Sequence, residues 1–168
     1  MSREKNFSKL IKSISLIKNY NLSLDIYGEG NEYNKLKSEI STFNLNKKIK
    51  IKKFIKNHLK IYKKYDLFLS SSDFEGFPNV IAEAVKYNLP VISTDSKGGI
   101  YDILLNGKGG KILKNNTVNE LKENIEYYIK NQKKFYLMNK ISKKNINSFN
   151  HDKYKIKYEK LIDKINAK

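Results

Sequence analysis

From residue 6 to residue 113 the chain alternates stretches of helical and strand character joined by connections of a few residues, and this alternation constrains the fold more than any other feature. Phe7, Leu10, Ile11, Ile14 and Ile17 recur at helical spacing. Residues 22–27 then alternate apolar and polar and run into Gly28-Glu29-Gly30, as a strand does when it delivers its carboxyl end into a glycine loop. The same rhythm predicts a helix over 32–43, a strand over 49–54, a short helix over 58–64 and a strand over 66–70. It continues with a helix over 79–87, a buried strand over 89–94, a helical turn over 100–105 and a short strand over 111–113. Helices follow: one behind the Thr117-x-x-Glu120 capping box, one over 133–147 and one over 152–165. The tyrosines of these last helices fall at helical spacing with leucine and isoleucine and read as core.

Strands and helices in this order make an α/β fold, a Rossmann-like doubly wound parallel sheet with extra C-terminal helices. With 168 residues and no linker, one domain over 1–168 is expected. Ligands of such sheets bind beyond the carboxyl ends of the strands, here the loops 28–30, 54–57, 70–79 and 94–99.

The segment 73–83 is the most informative: Asp73-Phe74-Glu75-Gly76-Phe77-Pro78-Asn79-Val80-Ile81-Ala82-Glu83. Glu75 stands in the loop and Glu83 one turn inside a helix whose start is marked by Pro78-Asn79. A helix start offers unpaired N–H groups and partial positive charge to a phosphate, and Gly76 lets backbone approach a ligand closely. A carboxylate accepts paired hydrogen bonds from vicinal hydroxyls, so Glu83 suits a ribose and Glu75 a sugar ring. From the residues alone two readings stand: a nucleotide-sugar pocket, or an exposed loop acid beside a solvent-facing helix acid. Asp73-x-Glu75 has the outline of a metal-holding acid pair. No third ligand accompanies it, there is no cysteine, and His58 and His151 each stand alone, so no metal is expected.

Residues 75–84 with 88–95 resemble the Glu-x7-Glu region of the retaining family-four glycosyltransferases. The likeness extends through 4–7, 24–30, 65–72 and 99–107. The resemblance implies the carboxyl-terminal, donor-binding half of the two-domain GT-B fold. It also implies roles: Glu75 on donor-sugar hydroxyls and Lys5 on the diphosphate as the catalytic pair, with Glu83 on the ribose. Gly76, Phe77, Pro78, Asn79 and Val80 would meet sugar and phosphate, Gly28 and Gly30 would lie beneath the nucleotide, and Phe54 and Ile55 would edge the base. The implied donor is a nucleotide sugar, a UDP-sugar by preference, with no metal or other cofactor. The sequence departs from the family pattern upstream of Lys5. The buried strand and the Gly-Arg pair that ordinarily precede that lysine have no counterpart, and Arg3 does not match the arginine by spacing. A donor domain lacking its first strand is therefore expected, with the N-terminal acceptor domain absent; the expected partner is that N-terminal acceptor domain or a separate chain supplying it. The competing readings are a noncatalytic nucleotide-sugar module, a truncated remnant, and a lysine-rich binder of nucleic acid or membrane.

Charge bears on the last of these. Lys plus Arg is 34 against 17 acids, a net +17, but Arg3 is the only arginine, and base reading and phosphate forking favour arginine. No nucleic acid is expected. No apolar run approaches the ~20 residues of a membrane span. A cytoplasmic location is expected, with a peripheral contact at the inner membrane face left open by the lysines at 47, 48, 50, 52 and 53.

Overall fold

The computed structural model describes residues 1–55 and 59–147. After a 3-10 turn at Arg3–Lys5 come α1 (Phe7–Ser15), β1 (Leu24–Tyr27), α2 (Tyr33–Thr42), β2 (Ile49–Lys52) and α3 (Leu59–Tyr62). They are followed by β3 (Phe68–Ser70), α4 (Asn79–Lys86), β4 (Val91–Ser93), α5 (Ile100–Ile103), β5 (Lys111–Ile112), α6 (Val118–Lys130) and α7 (Gln132–Ile146). Each element overlaps the stretch whose periodicity announces it. The expected helix over 152–165 and His151 lie outside the described residues, as does His58.

All strand pairs are parallel, as the alternation requires. They form two blocks: β1 with β2, in register Leu24 opposite Ile49, and β3-β4-β5 with Phe68 opposite Val91 and Ile92 opposite Lys111. Among the described residues β1 and β3 each have a strand partner on one side only. Between them runs a cleft of about 670 Å³ lined by residues 20–27 and 64–72.

The layers follow from β4. Its three residues are all buried, and neighbouring side chains point to opposite faces. Ile92 joins one apolar cluster with Leu10, Ile14, Leu121, Ile125 and Phe135, while Val91 joins another with Ile81, Val85, Ile100 and Ile103. Helices therefore cover the sheet on both sides, and the strand carboxyl ends are left to the loops. In α6 half the capping box forms: Thr117 Oγ1 accepts from Glu120 N at 3.1 Å. The Glu120 carboxylate instead takes Lys114 N and Asn115 N, at 2.7 and 2.8 Å, because the preceding loop folds over the helix start. Tyr128 is core, its hydroxyl donating to Asp66 O at 2.6 Å, but Tyr127 and Tyr136 are exposed beneath the ammonium groups of Lys134 and Lys140. The ammonium groups stand 5.3 and 4.8 Å from the ring centroids, and the rings stay exposed where the expected packing would have buried them.

One polar cluster closes the cleft floor. The Tyr65 hydroxyl donates to Asp25, Tyr27 and Tyr65 hydroxyls stand 2.8 Å apart, and Lys52 Nζ reaches Asp25 Oδ2 at 2.6 Å. Burial pushes the Asp25 carboxyl up, but the bonds from Lys52 and Tyr65 outweigh it and hold it below its ordinary value. A carboxyl depressed in the folded state contributes stability that is full above its unfolded pKa and is lost as pH falls through the folded one. The urea midpoint is therefore expected to hold from neutral pH to about pH 4 and to decline below it. Asp25→Asn lowers the midpoint at pH 7 and makes the acid decline shallower; an unchanged decline would show that Asp25 does not carry it.

Candidate functional site

Two loops rise from the carboxyl ends of β3 and β4, and four hydrogen bonds zip them together. Thr94 N donates to Ser70 O at 3.0 Å and Thr94 Oγ1 to Ser72 O at 2.6 Å. Farther out, Glu75 N donates to Ser96 O at 3.0 Å and Gly99 N to Gly76 O at 2.9 Å. Gly98 makes this approach sterically feasible: its φ is +59°, and a Cβ there would fall 2.3 Å from Glu75 O and 2.4 Å from Gly76 O. Gly99 lies under the Phe77 ring, which would meet a Cβ at 2.5 Å. Loop 94–99 is thus the platform that sets the backbone of 75–77.

The other flank is the turn at Arg3–Lys5. Asp73 N donates to Glu4 O at 2.9 Å and Ser71 Oγ to Lys5 O at 2.7 Å, which brings the Lys5 ammonium onto Glu75. Lys5 Nζ bonds Glu75 Oε1, and the same oxygen accepts from Ser72 Oγ at 2.8 Å. The acid two residues earlier serves different partners: Asp73 takes Asn6 Nδ2 at 3.0 and 3.2 Å and Lys9 Nζ at 2.9 Å. Burial raises the Asp73 carboxyl, but Lys9 and Asn6 outweigh it and leave it below its ordinary value. The two acids of Asp73-x-Glu75 are therefore committed separately. Among the described residues no group of three or more His, Cys, Asp or Glu side chains gathers.

Glu83 sits half-buried on α4, one turn from its start. Tyr62 Oη donates to its Oε2 at 3.0 Å, and the Tyr62 ring stacks on Tyr87 at 5.4 Å. Burial, and then the Glu83 charge, pushes the Tyr62 hydroxyl far above its ordinary range, so it stays a donor that fixes this carboxylate. Pro78, buried, stands at the N-cap of α4 and supplies no side-chain acceptor. Gly76, Phe77, Asn79 and Val80 are all exposed around it. A Cβ on Gly76 would meet nothing within 4 Å, so space beside it is open to a ligand.

The remaining expected residues lie farther round the rim. Phe54 is 60% and Ile55 43% exposed, and both line the cleft along with Lys5, Ser72 and Val80. Gly28 and Gly30 have φ of +143° and +140°, and a Cβ on Gly30 would fall 2.1 Å from Met1 N. Met1 covers this glycine loop. The structure thus brings Lys5 and Glu75 together, sets Lys5 on the same cleft as Val80 of α4, and sets Gly28 and Gly30 against Met1. Sequence reasoning missed Ser72, Thr94, Gly98 and Tyr62. The serine run at 70–72 and the Gly98-Gly99 pair were visible, but nothing local says that they face Glu75.

The sequence profile of the family described as glycosyl transferases group 1 matches residues 1–147. An uncharacterized glycosyltransferase of Methanocaldococcus jannaschii is 43% identical over 84 residues, covering 50% of this chain and 21% of that protein. The UDP-N-acetylglucosamine–peptide N-acetylglucosaminyltransferase GtfA subunit of Streptococcus parasanguinis is 33% identical over 112 residues, covering 66% of this chain and 22% of that one. The chain therefore spans about a fifth of the length of these curated relatives. Among solved structures, Anabaena HepE in complex with UDP superposes with a TM-score of 0.86 at 19% identity, over 97% of this chain and 46% of that one. At that identity the likeness is one of fold.

Proposed function

The chain belongs to the glycosyl transferases group 1 family, and from that premise we propose that it is the nucleotide-sugar-binding half of a retaining GT-B glycosyltransferase. The observation that carries the proposal is the meeting of Lys5, Ser72 and Glu75, with Lys5 and Ser72 lining the same cleft as Val80 of α4, the helix that carries Glu83. In this reading Glu75 takes hydroxyls of the donor sugar and Glu83 those of the ribose, each carboxylate oriented by a hydroxyl from its own side, Ser72 or Tyr62. Lys5 and the start of α4 face the diphosphate. As the bond between sugar and phosphate breaks, negative charge grows on the diphosphate, and an ammonium with a helix amino terminus stabilises it. Phe54 and Ile55 give an apolar edge for the base.

The donor proposed is a UDP-sugar carrying a hexose or N-acetylhexosamine, used without a metal. HepE was solved with UDP, and the streptococcal relative is named for UDP-N-acetylglucosamine; both support this choice. The acceptor, a glycan or lipid-linked glycan, is proposed to be held by an N-terminal-type domain or a separate chain facing the rim. That GtfA is named a subunit supports a divided arrangement. A parallel strand is proposed to belong in the cleft between β1 and β3, since each has a strand partner on one side only. No described helix is long and apolar enough to cross a membrane. The proposed site of action is the cytoplasm.

The test is calorimetric titration of the chain with nucleoside diphosphates and their sugars, without added metal. Saturable binding is expected, weakened about tenfold or more by Glu83→Ala for every nucleotide, because a charge-assisted bond contributes roughly 1.5–3 kcal/mol. No saturation by a folded chain at millimolar ligand would sink the proposal.

A further inference from the structure

Lys5 and Glu75 are expected to hold different parts of a donor, yet in the structure they hold each other. The Lys5 ammonium bonds Glu75 Oε1, across 70 residues of sequence, and Ser72 Oγ is that oxygen's other donor. The Glu75 side chain is 16% exposed and that of Lys5 40%, so the carboxylate is the more desolvated partner and has more to lose if the pair opens. An anion arriving at this rim must compete with Glu75 for the ammonium.

We infer that this ion pair makes the site discriminate nucleotide sugars from nucleoside diphosphates, the inference resting on the donor-site reading above. A nucleoside diphosphate offers oxygens to Lys5 but no hydrogen-bond donor to Glu75. Drawing Lys5 away then leaves a half-buried carboxylate with the Ser72 hydroxyl alone, a cost subtracted from binding. A nucleotide sugar removes that cost, because its hydroxyls donate to Glu75 as the ammonium turns to the diphosphate. Recognition of the sugar and recognition of the diphosphate are coupled through one bond. The coupling has a direction useful to a transferase: once the sugar has left, Glu75 reclaims Lys5 and the diphosphate product is released more readily.

The test uses the whole chain with UDP against UDP-N-acetylglucosamine, and GDP against GDP-mannose as a second pair. Wild type is expected to bind the sugar-bearing member of its pair more tightly. Glu75→Gln keeps the shape but releases the ammonium, and is expected to strengthen diphosphate binding about fivefold, the scale of a partly exposed ion pair. The same change weakens binding of the nucleotide sugar. A lost negative charge near the ligand would produce some of this gain without any pair, so the cycle is repeated on Lys5→Met. In that background the part owed to the pair is expected to vanish, leaving a smaller gain from the lost charge alone. Glu75→Asp, which keeps the charge and retracts the carboxylate, is expected to move diphosphate binding in the same direction by less, and guards against a misfolded glutamine variant. Diphosphate affinity unchanged or lowered by Glu75→Gln, or raised equally with and without Lys5, would overturn the coupling while leaving the donor site standing. No binding of either pair by wild type overturns the donor site and the coupling with it.

Discussion

Gly98→Ala is expected to weaken nucleotide-sugar binding on the order of 10²-fold while the sheet stays folded. The alanine would have to adopt a φ of +59°, which costs about 1–2 kcal/mol, and its Cβ would lie 2.3 Å from Glu75 O and 2.4 Å from Gly76 O. Both obstacles are backbone atoms and cannot turn aside as a side chain would. Loop 94–99 must therefore draw away from 75–77, which strains the bonds Glu75 N to Ser96 O and Gly99 N to Gly76 O. Glu75 then leaves its alignment with Ser72 and with any sugar. Two charge-assisted bonds lost or bent are worth roughly 3 kcal/mol, hence the factor stated. The comparison that isolates the effect is Gly76→Ala, where a Cβ meets nothing within 4 Å and unfolding free energy is expected to change by less than about 0.5 kcal/mol. Titration calorimetry and urea unfolding on both variants check this. Binding by Gly98→Ala within threefold of wild type would mean that the platform does not position Glu75.

The largest loss of stability is expected at Phe135. It is 2% exposed in α7, and its ring meets Tyr128 edge-on at 5.2 Å and 89°. Tyr128 in turn ties α6 to Asp66 ahead of β3, so this contact fastens the terminal helices to the sheet. Phe135→Ala removes the ring and leaves a cavity, at a cost of about 3–5 kcal/mol, against a total stability of roughly 5–15 kcal/mol for a domain. Leu137→Ala, two residues on and 51% exposed, is expected to cost less than about 1 kcal/mol. Chemical unfolding of the pair reads the difference. Similar small losses at both positions would mean that α7 is not packed through Phe135.

The contrast between Gly76 and Gly98 shows how the site was divided between sequence and fold. Gly76 is conspicuous because it lies between Glu75 and Phe77, and a local reading makes it the place where a ligand approaches the backbone; the structure leaves open space beside it and puts the tight contact within the chain at Gly98, which no local reading singles out. The acids themselves stood out in the sequence, since the spacing of Glu75 and Glu83 and the helix start between them drew attention, while their proposed roles come from the family resemblance. Their orienting hydroxyls did not stand out, because Ser72 and Tyr62 are ordinary residues until folding brings them to a carboxylate. Thr117 was legible as a cap because a cap is a local device, whereas the Glu120 side chain went to Lys114 and Asn115, a choice made by the path of the incoming loop.

Periodicity and the alternation of segments thus determined by themselves the order of strands and helices and their parallel arrangement. Those features depend on which face of each segment is apolar and on the handedness of short connections, and both are written in neighbouring residues. Only the tertiary structure decided that Lys5 pairs with Glu75, that loop 94–99 clamps loop 71–78, and that Tyr127 and Tyr136 face outward. Each of these depends on distances between groups far apart in the chain, which are set by the close packing of helices on the two faces of the sheet.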